Sequence, residues 1–240
     1  MPLKKAQTNY TQNQTLLLEK LELAMQAFST KYDFNVVKPV IFGDVPIIAE
    51  TSTHWIIEKD MLETMSPDLI TLFILHEICH YYVQGTRSYD EAKAIRADFG
   101  FNYLSEYDIC GDRMAYIMWR DTFNKTLDDY LVEMWSTQEY KDGVFLEDGF
   151  SRFFGSILTI FAKEITGLDV IIFPRISSNL LLKITYITDN IRKVTTVKMD
   201  PKKLELFVRY YPQPNLVNKD SYLVFMKSFC SQIINAMNLN

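Results

Sequence analysis

Apolar positions first recur at helical spacing along the chain, and past residue 167 they fall into short runs of strand type. An amphipathic helix is predicted over 16–28, packing on a small sheet. Two strands of that sheet are predicted over 35–42 and 47–58. There the β-branched and aromatic runs Val36, Val37, Val40, Ile41 and His54, Trp55, Ile56, Ile57 are broken by Gly43 and Pro46. Residues 69–83 carry no charge except at Glu77 and the histidines, and read as a buried helix. Ser66 is its expected N-cap, Pro67 its first turn and Gly85 its stop signal. A further helix opens at the capping box Ser88/Glu91 and runs to about Leu104. One or two helices follow over 111–139, then a buried helix over 150–165 that ends near Gly167. Four strands are predicted next, over 169–176, 180–187, 192–199 and 204–211, with Asp189-Asn190 and Asp200-Pro201 as turns. A helix over 221–237 closes the chain. There are no internal repeats or low-complexity segments.

This order gives an α+β class, a small sheet with helices followed by a strand-rich C-terminal region. With 48% hydrophobic residues and only 8 Gly and 8 Pro in 240, the chain can bury a full core. Charge divides it: residues 1–167 hold 15 Lys and Arg against 25 Asp and Glu, and residues 168–240 hold 10 against 5. The opposite signs favour a boundary near Gly167, giving regions 1–167 and 168–240. They also favour docking of the basic part on the acidic part or on an acidic protein partner. The basic residues are dispersed without a reading motif, which argues against nucleic acid. Three cysteines, one of them Cys79 inside the apolar helix, argue against a disulfide framework. Residues 1–14 lack the apolar segment of a signal peptide. The apolar stretch 153–173 is interrupted by Lys163, Glu164 and Asp169, so no membrane span is expected. Together these features lead to the expectation of a cytoplasmic, reduced protein.

The chemistry concentrates in His76-Glu77-Ile78-Cys79-His80. Two of the three histidines of the chain lie here, four residues apart, so on a helix both imidazoles leave one face and can share one ion. Glu77 can reach a water on that ion. Two neutral nitrogen ligands, an open position and a carboxylate base are what a zinc hydrolase requires. The uncharged neighbours Phe73, Ile74, Leu75, Ile78, Cys79, Tyr81 and Tyr82 add weight. On a buried helix two imidazoles and a carboxylate each need a partner, and a metal supplies one. Cys79 points about a quarter-turn away and reads as core packing.

Two strands followed by a helix with HExxH resemble the zincin fold, and the motif with its apolar surroundings resembles the zinc peptidases. That resemblance implies an edge strand, above the active-site helix, that binds extended substrate. Thr86 stands where metzincins carry their third histidine, which excludes that class. Gluzincins take a carboxylate from a following helix. Here Arg96-Ala97-Asp98-Phe99-Gly100-Phe101-Asn102 resembles the ligand segment of small gluzincins, the group that includes ImmA/IrrE-type and phage metallopeptidases. Their usual pattern is Glu-x-x-Ala-Asp, and Ala94 occupies the Glu position here.

Four third ligands are in view. Asp98, set among apolar neighbours, is favoured, either as ligand or as acceptor behind a ligand histidine. Asp108 with Asp112 behind it, in Asp108-Ile109-Cys110-Gly111-Asp112-Arg113, reproduces a carboxylate-x-x-x-Asp-Arg pattern of other gluzincins. The bland reading of these two residues is a helix start with Asp near its positive end. Glu91 shares the face of Asp98 but is accounted for by capping, and Glu133 is the distant choice. His54, on the presumed edge strand, reads first as a satisfied strand histidine and second as a substrate or oxyanion contact. Tyr103, Tyr107, Tyr116 and Arg113 are further candidates for polarising a carbonyl. The expectation is a zinc peptidase acting on a specific protein or peptide substrate, with His76, His80 and Asp98 on zinc and Glu77 as base. The alternative, favoured by Ala94, is a zincin-fold binding or regulatory protein with little proteolysis.

Overall fold

The computed structural model describes residues 10–33, 35–45, 48–84, 104–136, 147–168, 170–176, 181–188, 191–198, 200, 202 and 218–238. Its contacts divide the chain into two compact units, Met1–Ile74 and Leu75–Asn240. Each holds helices and a three-stranded sheet, so the class is α+β.

In the first unit, α1 (Gln12–Tyr32) extends beyond the expected 16–28 at both ends, and its caps explain this. Thr11 and Gln14 form a reciprocal capping box, with Gln14 N–H donating to Thr11 Oγ1 at 3.2 Å and Thr11 N–H donating to Gln14 Oε1 at 2.9 Å. Asp33, at φ 49, ends the helix in the left-handed region and donates its N–H to Ser29 O. Leu17, Leu21, Ala24, Met25 and Phe28 form the buried stripe.

The sheet has β3 (Trp55–Glu58) at its centre, parallel to β1 (Val40–Gly43) and antiparallel to β2 (Ile48–Glu50). The predicted strand over 47–58 is therefore two strands joined by a loop. Thr51 causes the break: its Oγ1 accepts from the N–H groups of Thr53 and His54 at 3.3 and 2.9 Å, and its own N–H donates to His54 O at 2.9 Å. A threonine that satisfies backbone groups locally competes with the sheet ladder. Trp55 and Ile57 face the core, and the Trp55 indole donates to Val36 O.

A single turn, α2 (Met61–Thr64), leads to α3 (Pro67–Gln84), which starts as expected. Ser66 Oγ accepts from Leu69 N–H at 3.0 Å, and Lys20 of α1 pairs with Asp68 in the first turn. Gly85 and the predicted helix over 88–104 lie outside the described residues.

The second unit takes up the rest of α3 and adds α4 (Leu104–Phe123), α5 (Leu127–Ser136) and α6 (Glu147–Thr166). The expected 111–139 segment is thus two helices, separated at Asn124, which has φ 51. Gly167, at φ 72, ends α6 and donates its N–H to Lys163 O at 3.0 Å. An antiparallel meander follows: β4 (Val170–Ile176), β5 (Leu181–Thr188) and β6 (Ile191–Lys198). Pro174, which has no N–H to donate, sits on β4, at the edge of that order among the described strands, where a proline is tolerated. The predicted strand over 204–211 lies outside the described residues. Finally α7 (Lys219–Ala236) is capped by Asn218, whose Oδ1 accepts from Ser221 N–H at 2.8 Å.

Small residues set the spacing around α6. A Cβ on Gly155 would lie 2.7 Å from Ile172 O on β4 and 2.8 Å from Ile109 Cδ1 on α4. At Gly155, α6 thereby comes close to both neighbours at once. Thr159 Oγ1 accepts from Ile172 N–H at 2.9 Å and fixes α6 along the strand. Across Gly167, then, α6 and β4 pack on each other within one unit. Helix α7 sets Phe229 against Phe154 of α6, ring centroids 5.6 Å apart and tilted, and Lys227 pairs with Asp128 of α5 at 2.7 Å. Among the described residues no helix is long and apolar enough to cross a membrane.

Candidate metal centre

Helix α3 is apolar nearly all round: Leu69, Ile70, Leu72, Ile74, Leu75, Ile78 and Cys79 are buried, and His76 is buried with them at 5% exposure. One residue on, a helix has turned by about 100°, and Glu77 faces solvent. His80 continues the same helix one turn later, and its side chain lies outside the described ones.

What meets His76 comes from α4. Asp108, Gly111 and Asp112 are spaced i, i+3, i+4 and so share one helical face. Asp112 Oδ1 lies 2.7 Å from His76 Nδ1, and Asp108 Oδ1 lies 3.8 Å from His76 Nε2. The Nδ1 contact is close without being an aligned N–H···O bond. Between the two carboxylates sits Gly111, where an added Cβ would come within 3.0 Å of Nδ1 and 3.1 Å of Cε1. The glycine is thus what lets α4 approach the imidazole ring. Asp112 is held from its other side, because the buried Ser156 of α6 donates to its Oδ2 at 2.5 Å.

These contacts divide the imidazole's two nitrogens between two roles. A carboxylate at Nδ1 favours the tautomer with its proton there and leaves the Nε2 lone pair turned toward Asp108. The 3.8 Å separation is too long for a hydrogen bond. It is close to the roughly 3.4 Å between two ligands of one tetrahedral zinc, given zinc–ligand bonds of about 2.0–2.2 Å. The donor set also suits zinc, with imidazole nitrogen beside carboxylate oxygen. Among the described residues no three His, Cys, Asp or Glu side chains form a preformed ion-binding group. The side chain of His80 lies outside the described ones.

The other candidates fall elsewhere. Asp98, Glu91, Ala94 and Tyr103 lie outside the described residues, and so does the side chain of Tyr107. Asp108 and Asp112 sit in the second and third turns of α4, beyond the first turn where a helix dipole acts, which removes the helix-start reading. Glu133 is on α5, half-buried. His54 is in the β2–β3 loop, not on an edge strand, because Thr51 ends β2 there. Its Nδ1 lies 2.8 Å from Thr53 Oγ1. Among the described residues the edge strands of that sheet are β1 and β2. Arg113 is buried beside Asp112. Tyr116 is buried edge-on to Tyr130 at 5.1 Å, and that burial pushes its phenol well up from the usual range. Cys79 is buried, as core packing requires.

Ser156 was not legible as a site residue, lying within the apolar run read as a plain buried helix. The signal was present in the spacing: Gly155, Ser156 and Thr159 place small or hydroxylated side chains on one seam of an otherwise apolar helix. Compared with models of protein families, with curated proteins and with solved structures, the chain matches none.

Proposed function

We propose that this chain is a zinc-dependent peptidase of the gluzincin-like type on a zincin-like fold, hydrolysing a peptide bond in a protein or peptide substrate. The observation that carries this reading is the meeting of buried His76 with Asp108 and Asp112, one turn apart on α4, beside solvent-facing Glu77. His76, His80 and Asp108 hold the ion, with Asp98 as the alternative to Asp108, and Asp112 sits behind His76. Zinc held there supplies a Lewis acid for the scissile carbonyl and a more acidic water at neutral pH.

The chain's own groups do the rest. Glu77, open to solvent and next in sequence to a ligand, takes the proton of the attacking water and returns it to the departing amine. Asp112 keeps the Nδ1 side of His76 engaged, so that Nε2 stays directed at the ion. A cytoplasmic location goes with this reading, as does an acidic protein partner for the basic residues 168–240.

The test is elemental analysis of protein purified without added metal or a His tag, beside Asp108→Ala and Asp98→Ala. About one zinc per chain in the wild type, lost in Asp108→Ala, supports the assignment. Loss in Asp98→Ala alone moves the third ligand there. A wild type that takes up no zinc even when it is supplied overturns the peptidase reading and leaves a binding protein.

A further inference from the structure

The zinc reading accounts for His76, Glu77, His80 and Asp108, and it explains why a carboxylate stands behind His76. It does not explain why Asp112 itself is fixed from a third helix. Ser156 is fully buried in α6, and its hydroxyl donates to Asp112 Oδ2 at 2.5 Å while Asp112 Oδ1 lies 2.7 Å from His76 Nδ1. The two carboxylate oxygens thus face two different helices. A hydroxyl in mid-helix ordinarily returns to its own backbone at i−4, so one directed at a neighbouring helix is unusual. Its position is set on both flanks. Gly155 brings α6 close to Ile109 on α4 and to Ile172 on β4, and Thr159 holds α6 to the Ile172 N–H.

We propose that Ser156 is a positioning residue of the metal centre, fixing the rotation of the Asp112 carboxylate and through it the tautomer and orientation of His76. The proposal rests on the zinc reading for its consequence, and on geometry alone for its cause. A carboxylate anchored at one oxygen cannot turn about its Cβ–Cγ bond without breaking a charge-assisted hydrogen bond. Without Ser156, Asp112 loses the bond that holds its Oδ2, and with it the constraint that keeps Oδ1 at His76 Nδ1. Outer partners of ligating histidines typically matter by about 10–100-fold in metal affinity.

The experiment is a double-mutant cycle of Ser156→Ala and Asp112→Asn, read in two ways. Zinc affinity is measured by competition with a chromogenic chelator. The His76 ring nitrogens are observed by ¹⁵N NMR in metal-free protein at a pH where the imidazole is neutral. Circular dichroism confirms that each variant is folded. Ser156→Ala is expected to weaken zinc by about tenfold and to mix the ring tautomers. In the Asp112→Asn background the same change is expected to do nothing further, because Ser156 acts through Asp112. Unchanged affinity and an unchanged ring spectrum in Ser156→Ala overturn the proposal and leave the zinc reading intact. An equal loss in both backgrounds overturns it as well, since Ser156 would then act by another route. If the wild type binds no zinc, the zinc reading fails separately, and the ring spectrum alone decides whether Ser156 positions His76.

Discussion

Helices α1 and α3 are of similar length and bury a similar run of aliphatic side chains, yet they treat their polar groups in opposite ways. On α1 the polar residues occupy a solvent face; Glu22 is exposed and accepts from Gln26 one turn on at 3.1 Å. On α3 the described surface is nearly continuously apolar, and two of its described polar side chains are buried within it. Thr71 is satisfied inside its own helix, donating to Pro67 O at 2.7 Å. His76 is met from outside, by carboxylates of α4. A polar face in water costs little and says little about chemistry. A buried imidazole needs partners that other elements must deliver, and that requirement is where function becomes readable.

The largest test of this contrast sets two exposed glutamates against each other. Glu77→Gln is expected to lower peptide hydrolysis by about 10²–10⁴-fold, the usual worth of a general base, while zinc content and melting temperature stay near wild type. Glu22→Gln, equally open to solvent on α1, is expected to change neither. Assays of hydrolysis and metal content on the two variants check this, and a Glu77→Gln protein that cleaves at the wild-type rate removes the mechanism.

Next come the cores of the two helices. Leu21→Ala on α1 and Ile78→Ala on α3 both empty a fully buried site, and each is expected to cost about 2–5 kcal/mol in urea unfolding. Only Ile78→Ala, two residues from His76, is expected to weaken zinc binding as well. Equal effects on zinc would mean that α3 has no special role.

Added volume separates the same two functions at smaller scale. A Cβ at Gly111 meets the His76 ring at 3.0 Å, and one at Gly43 meets Ile56 Cγ2 at 2.8 Å in the first unit's sheet. Each alanine substitution is expected to cost about 1–3 kcal/mol through overpacking. Gly111→Ala is expected to lower zinc affinity in addition, since it pushes the ring away from α4. Chelator competition beside thermal unfolding distinguishes the two.

The contrast also explains what the chain discloses when read as sequence. The start of α3 at Ser66 and the end of α6 at Gly167 were legible, because a cap and a left-handed glycine act through neighbours in sequence. The helix that carries His76 and Glu77 was legible for the same reason, since its apolar run is local in sequence. The break of 47–58 into two strands was missed, because Thr51 redirects backbone bonds that a period-two pattern does not register. Asp112 was readable as a pattern, but its hold on His76 depends on how closely α4 approaches. That closeness is set by Gly111, Gly155 and Ser156, three residues whose small size means nothing until the helices are in place.

The helix starts give the smallest and most local comparison. Thr11 caps α1 and Ser66 caps α3, each oxygen accepting from the N–H three residues on, at 3.2 and 3.0 Å. Alanine at either position is expected to cost about 1 kcal/mol of stability, since it removes the acceptor of one helix-terminal donor. At Thr11 the loss also leaves Gln14 without the other half of its capping box. Ser66 precedes His76 by ten residues, about 15 Å along a helix, so fraying at the start of α3 has to travel nearly three turns to reach the site. Between the two lies an apolar surface, Leu69 to Leu75, whose burial holds the helix together independently of its cap. Ser66→Ala is therefore expected to lower the unfolding midpoint as Thr11→Ala does and to leave zinc affinity unchanged. A fall in zinc affinity in Ser66→Ala would show that α3 responds as a single rigid rod, and that the local division of labour between cap, core and centre does not hold.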